Sequence, residues 1–217
     1  RGRRPIMPEP VKMIIVLTLI SGIASLGLAA FNDTTKPAIA ENERLFTVSS
    51  INKVLPDTDK PNPCDKNKPK FDNNPDQDAV CIGGMLVYRG RKGEEINGIA
   101  VVSVGDQAYS GTITTLVGLD LEGTVTGIEV LKHAETPGLG AKIEECAWRS
   151  QLVGQGPDTM TWKVTKDGGD VDAISGATIS SRSMINAIEK AQKLLREKKD
   201  QIVATDAMGE GEVCDAS

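Results

Sequence analysis

The sequence predicts an α+β protein, with a single N-terminal transmembrane helix followed by one domain whose mainly antiparallel sheet is flanked by helices. Three observations carry this reading. Residues 13–32 (MIIVLTLISGIASLGLAAFN) contain no charged side chain. From residue 83 onward, short β-branched runs alternate with turns containing Gly and Asp. A long amphipathic stripe then closes the domain before residue 200. Strands punctuated by a few helices, without a regular βαβ alternation, point to an antiparallel rather than a parallel sheet.

The apolar run at 13–32 has the roughly 20 residues that a helix needs to cross a bilayer. Before it stand Arg1, Arg3, Arg4 and Lys12 against Glu9 alone. That bias predicts a cytoplasmic segment at 1–12 and a domain on the extracytoplasmic side. A cleaved signal peptide is the competing reading, with Leu28-Ala29-Ala30 as its cleavage site, but the apolar run exceeds the usual 7–15-residue signal core. Ser21, Gly22, Ser25 and Gly27 are small enough for close packing against neighbouring membrane helices.

Residues 33–82 read as a linker and surface excursion. Its second part holds Pro56, Pro61, Pro63, Pro69 and Pro75, which exclude a regular helix or central strand. Cys64 and Cys81 bracket its end, and in an oxidising compartment a bridge between them would restrain the loop. Cys146 and Cys214 would pair or stay free, and four cysteines allow three full connectivities.

The domain is placed at 83–200, with candidate strands at Met85–Tyr88, Ile99–Val104, Ile113–Leu119, Val125–Leu131 and Met160–Val164. Ala141–Val153 reads as a helix. The clearest helix starts near Ser180 or Ser181 and ends about Lys199, with Met184, Ile185, Ile188, Ala191 and Leu195 on its apolar face. Residues 201–217 read as a tail.

Composition excludes several functions. The chain has 217 residues, a net charge of −5 and only 3% aromatic residues. An acidic domain poor in stacking surfaces is unsuited to nucleic acid. No C-x-x-C, C-x-x-C-H or Cys/His cluster is present, so zinc, iron–sulfur clusters and c-type haem lack ligands here. The Gly-x-Gly-x-x-Gly fingerprint for NAD and the Gly-x-Ser-x-Gly elbow of hydrolases are also missing.

The informative stretch is Asp172-Ala173-Ile174-Ser175-Gly176-Ala177-Thr178, just before the last helix. Ser175, Gly176 and Ala177 leave the backbone open, and Thr178 places a hydroxyl where helix amides and the dipole favour a phosphate. The ordinary alternative is a hydroxyl capping a helix in a flavin-free, membrane-anchored interaction module. A second stretch, His133-Ala134-Glu135-Thr136-Pro137-Gly138-Leu139-Gly140, contains a Pro-Gly pair suited to a type II turn. Tyr109-Ser110-Gly111-Thr112-Ile113 reads as a sheet element.

D-A-I-S-G-A-T resembles the flavinylation pattern D-x-x-(S/T)-G-A-T of the FMN-binding domain family. H-A-E-T-P-G-L-G is similar to its H-x-E-T-P-G-L-G loop. That family includes the G subunit of the Rnf complex and the C subunit of the sodium-translocating NADH:quinone reductase. The resemblance spans roughly residues 10–200, and the chain's modest length favours the Rnf member. It implies an FMN joined through its phosphate to Thr178 by a flavin transferase. Ser175, Gly176, Ala177, Glu135, Thr136, Gly138, Leu139, Gly140 and Lys163 would surround that cofactor. It also implies partners: the other membrane subunits of an Rnf-type complex, including iron–sulfur and flavin subunits. Such a complex couples electron flow between ferredoxin and NAD to Na⁺ or H⁺ movement. His133, the only histidine, is expected to shape its loop.

Overall fold

The computed structural model describes residues 8–55, 78–92, 95–208 and 214. Most of the Pro-rich excursion, Cys64 included, and the basic residues 1–7 lie outside the described residues. The chain divides into two units, Arg1–Leu45 and Phe46–Ser217.

The first unit is the greater part of helix α1, Glu9–Val54. It is long and apolar enough to cross a membrane. Met13, Leu17, Ile20, Ile23, Leu26 and Leu28 leave its surface exposed and apolar on all sides, as a helix solvated by lipid requires. The polar side chains it carries are satisfied locally. Thr18 donates to the Ile14 carbonyl at 2.8 Å, and Thr34 and Thr35 both return their hydroxyls to Phe31. Helix continues past the expected exit at residue 32, through Pro37 to Val54. The first half of the expected linker is therefore helical.

The second unit holds a five-stranded antiparallel meander in the order β1-β2-β3-β4-β5. Its strands are Ala79–Ile82, Met85–Lys92, Glu95–Ala108, Gly111–Leu119 and Val125–Lys132. β1 also falls inside the expected linker. Alternate residues face opposite sides. Ile99 and Val101 on β3, with Ile113 and Val117 on β4, face α3, Thr178–Ala204. That helix contributes Met184, Ile185, Ile188, Ala191, Leu194 and Leu195. Burying each larger apolar side chain contributes about 1.5–3 kcal/mol. The other face gathers Ala79, Tyr88, Ala100 and Leu116 around Ile51, Val54 and Leu55 from the end of α1. Thr126 Oγ1 donates to the Val54 carbonyl there.

Polar ties fix the axial position of α3 on β3. Ser103 donates to the Ala187 carbonyl at 2.7 Å, and Lys190 Nζ donates to the Val104 carbonyl at 2.9 Å. Gly105 lets the two elements touch: a Cβ there would lie 2.7 Å from Ser183 Oγ and closer still to the Ser183 carbonyl. β3 then bulges between Gly105 and Ala108, with Gln107 at φ +57.

Between β5 and α3 the structure departs from the expected elements. The single helix at 141–153 is instead a 3-10 turn at Gly140–Glu144 and a short helix α2, Cys146–Arg149. Glu145 separates them in an extended conformation. The candidate strand at 160–164 reduces to a bridge between Val164 and Val171, because Trp162 turns inward and donates to the Gly156 carbonyl at 3.1 Å.

The described residues of the expected tail are tied to the domain. α3 runs to Ala204, and Met208 N donates to the Ala79 carbonyl at 2.7 Å. Buried Arg89 binds the carbonyls of Ile202 and Thr205 at 3.0 and 2.7 Å and pairs with Asp78. Cys81 is bonded to Cys214 with a Cα separation of 5.4 Å, which corrects the expected Cys64–Cys81 bridge. The returning C-terminus lies beside β1, so the partner of Cys81 comes from the far end of the chain. Cys146 is also disulfide-bonded.

Candidate functional site

Three segments converge beside the start of α3. The turn Ile174–Ala177 is closed by Ala177 N donating to the Ile174 carbonyl at 2.9 Å, with Gly176 at φ +79. This sets Thr178 as the first residue of α3. Ala177 precedes it with no side-chain hydrogen bond capping the helix. The amides of Thr178, Ile179 and Ser180 come before the first intrahelical donor of this helix, Ser181 N to the Ala177 carbonyl. Such amides, together with the helix dipole, favour an anion.

The second segment is the loop after β5. Leu139 N donates to the Thr136 carbonyl at 3.1 Å across Pro137-Gly138, and Gly138 has φ +75, the geometry of a type II turn. His133 does shape this loop. Its Nδ1 accepts from Glu135 N at 3.0 Å while its Nε2 meets Glu144 at 2.9 Å, which fixes the Nε2–H tautomer. Glu135 is 5% exposed. One carboxylate oxygen accepts from Ser110 N at 2.8 Å and the other from the Ser180 hydroxyl. Gly140 presses on that pair, since a Cβ there would sit 2.8 Å from Ser180 Oγ and inside contact distance of the Glu135 carboxylate.

The third segment is the turn between β3 and β4, which brings Tyr109 and Ser110. Between the three lies a cavity of about 450 Å³ lined by Tyr109, Glu135, Thr136, Leu139, Gly140, Gly176, Ala177, Thr178, Ile179 and Ser180. Of the expected residues, the structure thus gathers Thr178, Gly176, Ala177, Glu135, Thr136, Leu139 and Gly140. Ser175 and Gly138 support the two turns and do not line the cavity. Lys163 is elsewhere, exposed on the loop before Asp167, where its charge acts on Asp167 and Glu189.

Sequence reading missed Tyr109 as a wall of this cavity. Its signal was the Gly111 two residues on, which marks a tight turn. Tyr109 is 73% exposed, and Leu139 and Ile179 are about half exposed, so the cavity has an apolar, open rim. A second cavity of about 520 Å³ shares Ile179 and is lined by Asp106, Gln107, Arg182, Ser183 and Asn186. There Arg182 forms a two-pronged pair with Asp167 at 2.7 and 2.8 Å. That hydrogen bond holds the Asp167 carboxyl below its ordinary 3.8 and raises the Arg182 guanidinium above its ordinary value.

The hydroxyls around the first turn of α3 differ in their engagement. Ser180 donates to Glu135. Ser181 accepts from Ile174 N at 3.0 Å and donates to the Ala177 carbonyl at 3.1 Å. Ser183 is sealed beneath Gly105. Thr178 alone among these is half-buried at the cavity wall with its hydroxyl uncommitted.

The family model of the FMN-binding domain matches residues 108–193, which contain all three segments. The ion-translocating oxidoreductase complex G subunit of Escherichia coli is 35% identical over 209 residues, covering 90% of this chain and 96% of the relative. The protein of the same name from Cronobacter sakazakii is 30% identical over 219 residues, covering 95% and 98%. The crystal structure of Shewanella oneidensis NqrC aligns at 22% identity with a TM-score of 0.46, over 70% of each chain. On the strength of the two relatives and of the matched domain, the chain belongs to the G-subunit family of ion-translocating oxidoreductase complexes.

Proposed function

We propose that this chain is the electron-relaying member of an Rnf-type complex, working through one FMN esterified by its phosphate to Thr178 Oγ1. The observation that carries the reading is the state of that hydroxyl: uncommitted, at the start of an uncapped helix, and in the wall of the cavity. The residues present fit the group. The amides of Thr178, Ile179 and Ser180 are donors for phosphate oxygens, and Gly176, at φ +79, keeps side-chain bulk away from them. Leu139, Ile179 and Tyr109 give the open rim an apolar surface suited to a planar ring. When bound, FMN supplies a ring that accepts and returns electrons; the protein supplies placement and electrostatics.

The ester suits a carrier on the outer side of the membrane, where a dissociated flavin would be lost. That orientation is supported by the basic residues before α1. The Cys81–Cys214 bond, which belongs in an oxidising compartment, supports it as well. Electrons would come from and return to membrane subunits carrying iron–sulfur and flavin groups. The whole complex would couple ferredoxin:NAD electron flow to Na⁺ or H⁺ movement, and a flavin transferase would mature this chain. Co-purification of the assembly with identification of its subunits tests the membership. A quinone reductase assembly in place of an Rnf-type one would overturn it.

A further inference from the structure

We propose that Glu135 is a specificity-determining residue for flavin attachment: it withholds Ser180 and so leaves Thr178 as the acceptor on α3. This rests on the covalent reading above. Thr178 and Ser180 lie two positions apart in the same first turn, and both line the 450 Å³ cavity. An ester on Ser180 would therefore compete with one on Thr178 for the same space.

Ser180 is kept from that outcome by burial, with the Glu135 carboxylate packed against its oxygen. Its residue is fully buried, and its Oγ–H is donated to a Glu135 carboxylate oxygen. Glu135 is itself held from three sides. Ser110 N donates to its other oxygen, His133 Nδ1 takes its backbone N–H, and the bare Cα of Gly140 closes over it. Glu135 also lines the cavity, so removing its side chain would open Ser180 Oγ into the space that Thr178 faces. Ser181 and Ser183 do not depend on Glu135: one is bonded to Ile174 and Ala177, the other lies under Gly105.

Attachment requires an activated flavin phosphate of the flavin dinucleotide class. The hydroxyl oxygen forms a bond to the FMN phosphorus and the phosphoanhydride P–O bond breaks. The nucleoside monophosphate leaves with the electron pair, and the hydroxyl proton passes to a base; no electrons are gained or lost. A hydroxyl whose oxygen is buried against a side chain, with no open approach for the phosphorus, cannot carry out this displacement. Glu135 thus acts through Ser180 and needs no contact with the reacting phosphorus.

The test uses the full chain co-produced with the flavin transferase, with intact mass and peptide mapping of the attachment point. Wild type carries one FMN on Thr178; bare wild type would sink the covalent reading itself, not this inference alone. Thr178→Val is expected to be bare. The double variant Thr178→Val/Glu135→Ala is expected to regain FMN on Ser180, at least tenfold above the single variant. A gain of label cannot arise from mere loss of structure. Glu135→Gln, which can still accept from Ser110 N and keeps the side-chain bulk against Ser180, is expected to leave Ser180 unlabelled. The inference is overturned if the double variant stays bare while it melts cooperatively. It is equally overturned, whatever the fate of the alanine variant, if Glu135→Gln labels Ser180.

Discussion

Gly140→Ala should damage the site through contact rather than through backbone strain. The added Cβ would fall inside contact distance of the Glu135 carboxylate and 2.8 Å from Ser180 Oγ, with Glu135 Cβ at 2.9 Å. Neither neighbour is the free end of a long exposed side chain, since Glu135 is 5% exposed and Ser180 fully buried. Relief requires the loop to lift or the Glu135–Ser180 hydrogen bond to break. Overpacking of this kind costs about 1–3 kcal/mol. For a domain of this size that is roughly 2–4 °C of Tm per kcal/mol, so a cost near 2 kcal/mol lowers Tm by about 4–8 °C. Gly138→Ala is the internal control. Nothing lies within 4 Å of its Cβ position, and its φ is +75, so it should lose only the roughly 1–2 kcal/mol of left-handed strain. Thermal melts by circular dichroism on the detergent-solubilised full chain, beside the yield of FMN label, separate the two. Both variants should lose stability, and only Gly140→Ala should also lose label. A Gly140→Ala protein that melts and labels as wild type would refute the packing described around Glu135.

On the opposite sheet face, Gly118→Ala would place a Cβ 2.8 Å from Thr126 Oγ1 and nearer still to the Val54 carbonyl. Hydrogen exchange should show faster exchange of the amides around Ile51–Leu55, with a stability loss of about 1–3 kcal/mol. Replacing Cys81 and Cys214 together by Ser opens a link spanning 133 residues of sequence; chemical denaturation should show a loss of about 2–5 kcal/mol, and no loss would mean the C-terminus is held without it. Asp167 has a depressed folded pKa, so its pairing with Arg182 contributes above the unfolded value of 3.8 and is lost as pH falls through the folded one. Arg182→Gln should move the Asp167 carbon-detected titration upward toward 3.8, and an unmoved titration would refute the pairing.

Much of the fold was legible in the chain itself. The β-rich runs of β2 to β5, set off by Gly- and Asp-containing turns, and the stripe Met184, Ile185, Ile188, Ala191 and Leu195 were readable because each is a local pattern. β1 was not: four residues, Ala79–Ile82, give too short a pattern, and they follow a Pro-rich run. The break at Glu145 was hidden because both halves of residues 141–153 carry helix-forming side chains. Cys81 found a partner 133 positions away, which no local spacing reveals. In the site, the two loops were readable from their glycines, whereas Tyr109 enters through a hairpin turn whose position depends on the whole sheet. Lys163 was singled out for charge and proximity in sequence, yet Trp162 anchors its segment inward and leaves it facing Asp167.

Thr178 as the covalent attachment point is tested most directly by intact mass of the denatured chain, purified from cells that hold the flavin transferase. The wild-type polypeptide should weigh more by one FMN less a water and stay fluorescent under ultraviolet light after unfolding, and Thr178→Val should do neither. A bare wild-type mass, or an adduct that persists in Thr178→Val, would contradict the assignment.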